Sequence, residues 1–316
     1  MRSFKNYFAY IFKQSVPRMI VISAISLVIT MWEVFTSKNY TSLYTTSLIL
    51  CVLCTVVPPI ELSSFKNRRN ADILLSLPVS RKKQAGAHYL NGLIQVLGAY
   101  AICFLGVIIS CAFLELKHVG YFAVYFVISL VFGALVYSVL LFAFSQANTV
   151  IDGVIFEILT AFGSGLAVTS FLGGVLNLEI FNVSYMVYAP LSEAGFYQIV
   201  DNGSFVMPFK SVLMCILLAA LGVACIIGYF LRFERIRAEK IGGISDSVIG
   251  YRTLIPIWAY SLLATIGSIL FIFVYISMIV GYIIFRRGFK LTREDAIVIA
   301  CSLPFLLLGY AWVYWW

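Results

Sequence analysis

The sequence predicts an all-α polytopic membrane protein, and three observations carry the prediction. Of its 316 residues 62% are apolar and only 11% charged, against roughly a quarter charged in a soluble domain. Mean hydropathy is +0.98. The apolar residues lie in long runs, at about 17–35, 43–60, 89–114, 119–145, 149–176, 208–231, 254–285 and 296–316. Each run is near or above the ~20 residues a helix needs to cross about 30 Å of hydrocarbon. Lipid tolerates no unpaired backbone groups, and runs this continuous do not alternate as barrel strands do, so helix is the remaining choice.

Residues 1–16 read as an interfacial arm, because Phe4, Tyr7, Phe8 and Ile11 recur at helical spacing with Lys5 and Lys13 able to reach headgroups. This stretch lacks the short apolar core and small-residue cleavage site of a signal peptide. Residues 17–231 form a six-span core with loops at 61–88 and 177–207, followed by a basic linker at 232–253 and further spans at 254–316. The net charge of +8 reads as topology, with no nucleic acid as a partner. Fifteen cations, from Arg2 to Arg252, fall on one side when six helices alternate, while the opposing loops hold only Lys38, Lys117 and Lys210. The excess marks the cytoplasmic side and places the N-terminus there.

Residues 254–285 admit two readings. Two short crossings keep Arg286, Arg287, Lys290 and Arg293 inside. One long helix instead uses Trp258 and Tyr282 as its two interfacial anchors. The addition to the core is therefore two to three C-terminal helices.

Enzyme chemistry is not expected. No G-x-x-x-x-G-K-[ST] loop occurs, and the two histidines, His88 and His118, are separated by one span. No G-x-S-x-G or H-E-x-x-H appears. The cysteines, Cys51-Val-Leu-Cys54 included, lie within apolar spans and read as reduced packing residues, and no cofactor or metal is expected. The intramembrane polar candidates are Asp152 and Glu157. Asn148 can cap their helix, which puts Asp152 in its first turn, where the macrodipole favours a carboxylate. Glu157 lies deeper and must face a bundle interior or water. Glu33 and Glu61 sit at span ends, where simple solvation is expected. Small residues four apart, Ala161/Gly165, Gly163/Ala167 and Ala220/Ala224/Gly228, permit close helix approach, either in packing within the chain or at a dimer seam.

The 61–88 loop has a pattern of its own. Ile73, Leu74 and Leu77 share one side of a short helix that Asn70 can cap and Pro78 stops. An apolar stripe on a cytoplasmic helix between basic residues needs a surface to dock on, either lipid or a protein groove. Asp72-Ile-Leu-Leu-Ser-Leu-Pro-Val-Ser-Arg81, following a second span, closely resembles the cytoplasmic loop of bacterial type-2 ABC transporter permeases. The basic arm, six spans and long outer loop extend the resemblance over residues 1–231, and Arg235 to Gly243 resembles the segment after the core in a subgroup with extra spans. The resemblance implies a plasma-membrane permease subunit of an exporter. Its partners would be a second permease, identical or related, and separate cytoplasmic ATPases. Asp72, Ile73, Leu74, Leu77, Pro78 and Arg81 would form the coupling helix and its exit. A receptor or assembly subunit without transport, and an ion-coupled carrier built on Glu157, stand as alternatives.

Overall fold

A computed structural model describes residues 2–37, 42–113, 119–163, 209–236, 238–245, 247, 249–266, 271–286, 288–289 and 291–315. The described residues are helical, with no strand among them. The expected outer loop at 177–207 lies outside them, as do His118, Gly165 and Ala167. Four described helices are long and apolar enough to cross a membrane: Phe4–Thr36, Thr45–Lys66, Arg81–Ser110 and Tyr125–Ser145. The chain forms two compact units, one running through Phe142 and including the helix from residue 209, the other taking up residues 143–163 and those from Glu239 onward.

In the first unit, α1 (Arg2–Ser37) is continuous. The expected arm at 1–16 and the first span are thus one helix. Pro17 lies inside it and removes one backbone bond without ending it. Helix α1 is inside out by soluble standards. Ser15, Ser23, Ser26 and Thr30 are buried, while Ile25, Val28 and Trp32 are exposed, Trp32 at 73%. Apolar side chains facing outward and hydroxyls facing inward are the pattern of a helix whose solvent is lipid.

Helix α2 (Ser42–Leu62) carries Pro58 and Pro59 in its last turns and tightens into a 3₁₀ turn, Ser63–Lys66. The short α3 (Arg68–Ser76) follows, then α4 (Arg81–Phe113) and α5 (Val119–Ser145); α6 (Val150–Ile158) belongs to the second unit, and the first closes with α7 (Phe209–Glu234). Helix α4 is its spine, packing on α1, α2 and α7. Phe104 stacks with Tyr125 and Phe126, and Phe65 packs edge-on against Phe233 at 5.0 Å. Helix α7 meets α5 through glycine: a Cβ on Gly222 would come within 2.6 Å of Leu135, and one on Gly228 within 2.6 Å of Phe142. Of the small residues expected either to pack within the chain or to form a dimer seam, Ala220 and Ala224 are exposed and so do not pack within this chain. The buried face of α7 runs through Gly222, Cys225 and Tyr229.

In the second unit, α6 is capped by Thr149, whose side chain accepts from the Asp152 amide at 3.1 Å. Asn148, the expected cap, donates instead to the Ile244 carbonyl at 2.9 Å. Gln146 receives both Ser245 and Ser247 at 2.6 Å. Gly242, at φ 80°, turns the chain so that its amide reaches the Asn148 carbonyl at 3.0 Å. The region at 254–285, open to two readings, is spanned by two helices of 16 residues each, α8 (Tyr251–Ile266) and α9 (Phe271–Arg286), which extend slightly beyond it at both ends. They are antiparallel, because Tyr282 near the end of α9 donates to the Arg252 carbonyl at the start of α8 at 2.9 Å, and Tyr251 stacks on Phe285 at 5.3 Å.

Helix α10 (Arg293–Trp315) begins on an ion cluster centred on the buried Asp295. Arg286 grips Asp295 with both ends of its guanidinium at 2.7 and 3.0 Å, and Thr292 donates to the same carboxylate at 2.7 Å. Arg252 pairs with Glu294 at 2.5 Å. Burial pushes the Asp295 carboxyl upward, but the donors from Arg286 and Thr292 outweigh it and hold the group below its ordinary range.

Candidate functional site

The site of interest lies in the first unit, where α1, the end of α2, α3 and the start of α4 meet. Asn67 starts α3, its side chain accepting from the Arg69 amide at 3.2 Å. Asn70, the expected cap, sits inside the helix instead, because the 3₁₀ turn ends at Lys66 and leaves Asn67 in extended conformation at the entry. Ala71 is fully buried and seats the helix. At the other end Gln84 donates to the Leu74 carbonyl at 2.9 Å, supplying one partner that the last turn of a helix lacks. Leu77 leaves in extended backbone ahead of Pro78.

Ile73, Leu74 and Leu77 all line one cavity of about 950 Å³. Leu77 also packs with Val79, Phe4 and Phe8 against Tyr7, Ile11 and Ala87. Ile73 keeps 61% of its surface exposed. Asp72 and Pro78 point outward and do not line the cavity. Arg81 is turned away from it, donating through Nη1 to the Glu234 carbonyl at 3.3 Å and to the Ile236 carbonyl. The coupling candidates thus divide into a cavity wall, an exposed rim and an anchor onto the end of α7. Asp152 and Glu157 belong to the second unit. Asp152 is half-buried in the first turn of α6, whereas Glu157 is 2% exposed and its Oε1 has no hydrogen-bond partner among the described residues.

The cavity's opposite wall is polar, with Tyr10, Gln14 and Arg18 from α1 joined by Glu61 and His88. Glu61, expected to be solvated at a span end, is 3% exposed. Its Oε1 accepts from Arg18 Nη2 at 2.9 Å and Gln95 Nε2 at 2.7 Å. Its Oε2 accepts from Asn91 Nδ2 at 3.0 Å and lies 3.3 Å from His88 Nδ1. His88 Nε2 is 3.1 Å from the Tyr7 hydroxyl. A neutral imidazole protonated on Nδ1 satisfies both contacts, donating to Glu61 and accepting from Tyr7. Ser15 extends the network by donating to Asn91 Oδ1 at 2.9 Å.

One carboxylate therefore ties α1, α2 and α4 together beneath α3. Two lone pairs on each of its oxygens are engaged, so this is a rigid joint and not a poised acid or base. The sequence carried a signal for it. His88, Asn91 and Gln95 are spaced by three and four and form a polar stripe down one face of an otherwise apolar helix. No family model, no curated protein and no solved structure matches this chain.

Proposed function

We propose that this chain is the permease subunit of a bacterial ATP-binding cassette exporter, set in the plasma membrane with its N-terminus cytoplasmic. It pairs with a second permease and is driven by separate cytoplasmic ATPases. The observation that carries the reading is α3 itself: nine residues between two membrane-length helices, flanked by basic residues, with Ile73 61% exposed. An exposed isoleucine on a short amphipathic helix fits the groove of a partner. Movement of an ATPase against that rim would reach α4 through Gln84 on the Leu74 carbonyl and reach α7 through Arg81.

The test is a mild-detergent pull-down from the native membrane, with ATPase activity assayed on the proteins that co-purify. Wild type retains an ATPase; Leu77→Asp and the surface variant Ile73→Asp lose it while keeping helical content. Wild type retaining no ATPase under several detergents, or Ile73→Asp retaining it fully, refutes the reading.

Glu157 favours a second reading. A buried carboxyl with one oxygen unpartnered among the described residues, just ahead of a π-helical turn at Leu159–Gly163, is the arrangement expected of an ion-coupled carrier. Under that reading, liposomes holding the chain admit protons under an imposed potential, and Glu157→Gln abolishes the flux. Equal flux in both, or none in either, removes it.

A further inference from the structure

The cavity has a two-part lining that continues onto the outside of the bundle. On α1, cavity residues Tyr10, Gln14 and Arg18 stand four apart, and the same face carries on through the exposed Val21, Ile25, Val28 and Trp32. On α2, cavity residue Ile60 is followed, four residues back each time, by the exposed Val56, Val52 and Leu48. Arg18 and Glu61 are joined at 2.9 Å. That link aligns the two stripes at the cavity, from which one runs toward the end of α1 and the other toward the start of α2. A chamber lined by polar residues of α1 and by Ile73, Leu74 and Leu77 of α3 leads onto two apolar tracks along membrane-length helices.

Unused hydrogen-bond donors set what the chamber takes. Glu61 is saturated by four donors, whereas Arg18 uses only Nη2 among the described residues and its side chain is 39% exposed. Tyr10, Ser63 and Ser64 also line the chamber; the Tyr10 hydroxyl accepts from Gln14 at 2.7 Å and the Ser63 hydroxyl donates to the Ile60 carbonyl at 3.2 Å. A guanidinium with spare donors among hydroxyls suits a phosphate oxygen. The volume of about 950 Å³ lies at the upper end for a small-molecule site, which runs to ~1,000 Å³.

We infer that the cavity binds the phosphodiester headgroup of a membrane phospholipid, with its acyl chains lying along the Val21–Trp32 and Leu48–Val56 stripes. The bound lipid is then a wall of the chamber shared with α3. The inference requires the chain to be membrane-embedded and is independent of the permease reading.

The test is native mass spectrometry of the full chain in a maltoside detergent, titrated with phosphatidylglycerol. Diacylglycerol and glycerol 3-phosphate are titrated in parallel. Wild type retains one phosphatidylglycerol beyond a weak, graded background. Arg18→Gln and Ser64→Trp each weaken that first site by about tenfold or more, about 1.4 kcal/mol. Ser64 lines the chamber but is not one of the donors to Glu61, and an unchanged thermal midpoint for Ser64→Trp separates occupancy from folding. Diacylglycerol and glycerol 3-phosphate each bind at least about tenfold more weakly than the whole lipid. Equal retention by wild type and Ser64→Trp overturns the inference, as does diacylglycerol binding as tightly as the phospholipid. Glycerol 3-phosphate binding as tightly as the lipid overturns it too, in favour of a soluble phosphate ligand.

Discussion

Replacing Glu61 by glutamine tests whether one carboxylate holds three helices together. The amide keeps the shape but supplies one acceptor oxygen and an NH₂ group in place of two acceptors. Whichever way it sits, one pair of donors, Arg18 with Gln95 or His88 with Asn91, faces an NH₂. Leaving a buried donor unsatisfied costs about 1–3 kcal/mol, and removing one member of a buried ion pair costs about 3–5 kcal/mol in full burial. Arg18 is 39% exposed, so water takes over part of its solvation and the lower end applies. The expected loss is about 3 kcal/mol, which for a unit of this size lowers the thermal midpoint by about 6–12 °C. Circular dichroism at 222 nm during heating in detergent measures it. Combining Glu61→Gln with Arg18→Met should cost clearly less than the two single losses added, because the pair is broken only once. A midpoint within about 2 °C of wild type would refute the hub, and strict additivity would refute the ion pair.

Other outcomes rest on the packing. Asp295 is held below its ordinary range by Arg286 and Thr292. Its contribution is therefore fully present above the unfolded value, about 3.9, and is lost as pH falls through the lower folded value. Thermal midpoints measured downward from pH 6 should fall more steeply for wild type than for Asp295→Asn, and parallel curves would remove the cluster's role. Gly92→Ala places a methyl group against the buried Tyr137 ring, whose Cζ lies 2.8 Å from the added atom. Overpacking of this kind costs about 1–3 kcal/mol, so the midpoint drops, and the double change Gly92→Ala with Tyr137→Phe, which removes the clashing hydroxyl, recovers part of it. An unchanged midpoint in the single variant would show that the α4–α5 contact yields more easily than its burial implies.

Helix was legible because it depends on local matters: run length, apolar content and the need to pair every backbone group in lipid. The short α3 was visible for the same reason, since Ile73, Leu74 and Leu77 lie within one turn of each other and Pro78 ends the segment. Its cap was missed by three residues because Asn67 and Asn70 are equally good caps in isolation. The preceding 3₁₀ turn, a product of how α2 ends after Pro58 and Pro59, chooses between them. The same holds for Asn148 and Thr149, where the return of the 241–247 segment draws the asparagine away.

Glu61 marks the boundary more sharply. By itself it is a carboxylate at the end of an apolar run, and water is the default partner for such a group. Its burial arises only when residues 43 positions back and 27 to 34 positions ahead arrive on two other helices with their donors directed at it. Chain chemistry by itself determined that this protein is helical and apolar outward, and where the short amphipathic helix α3 falls. The tertiary structure alone decided which polar groups became neighbours, because a hydrogen bond between distant residues depends on helix rotation and register. Those are set by packing over the whole unit and by no local signal.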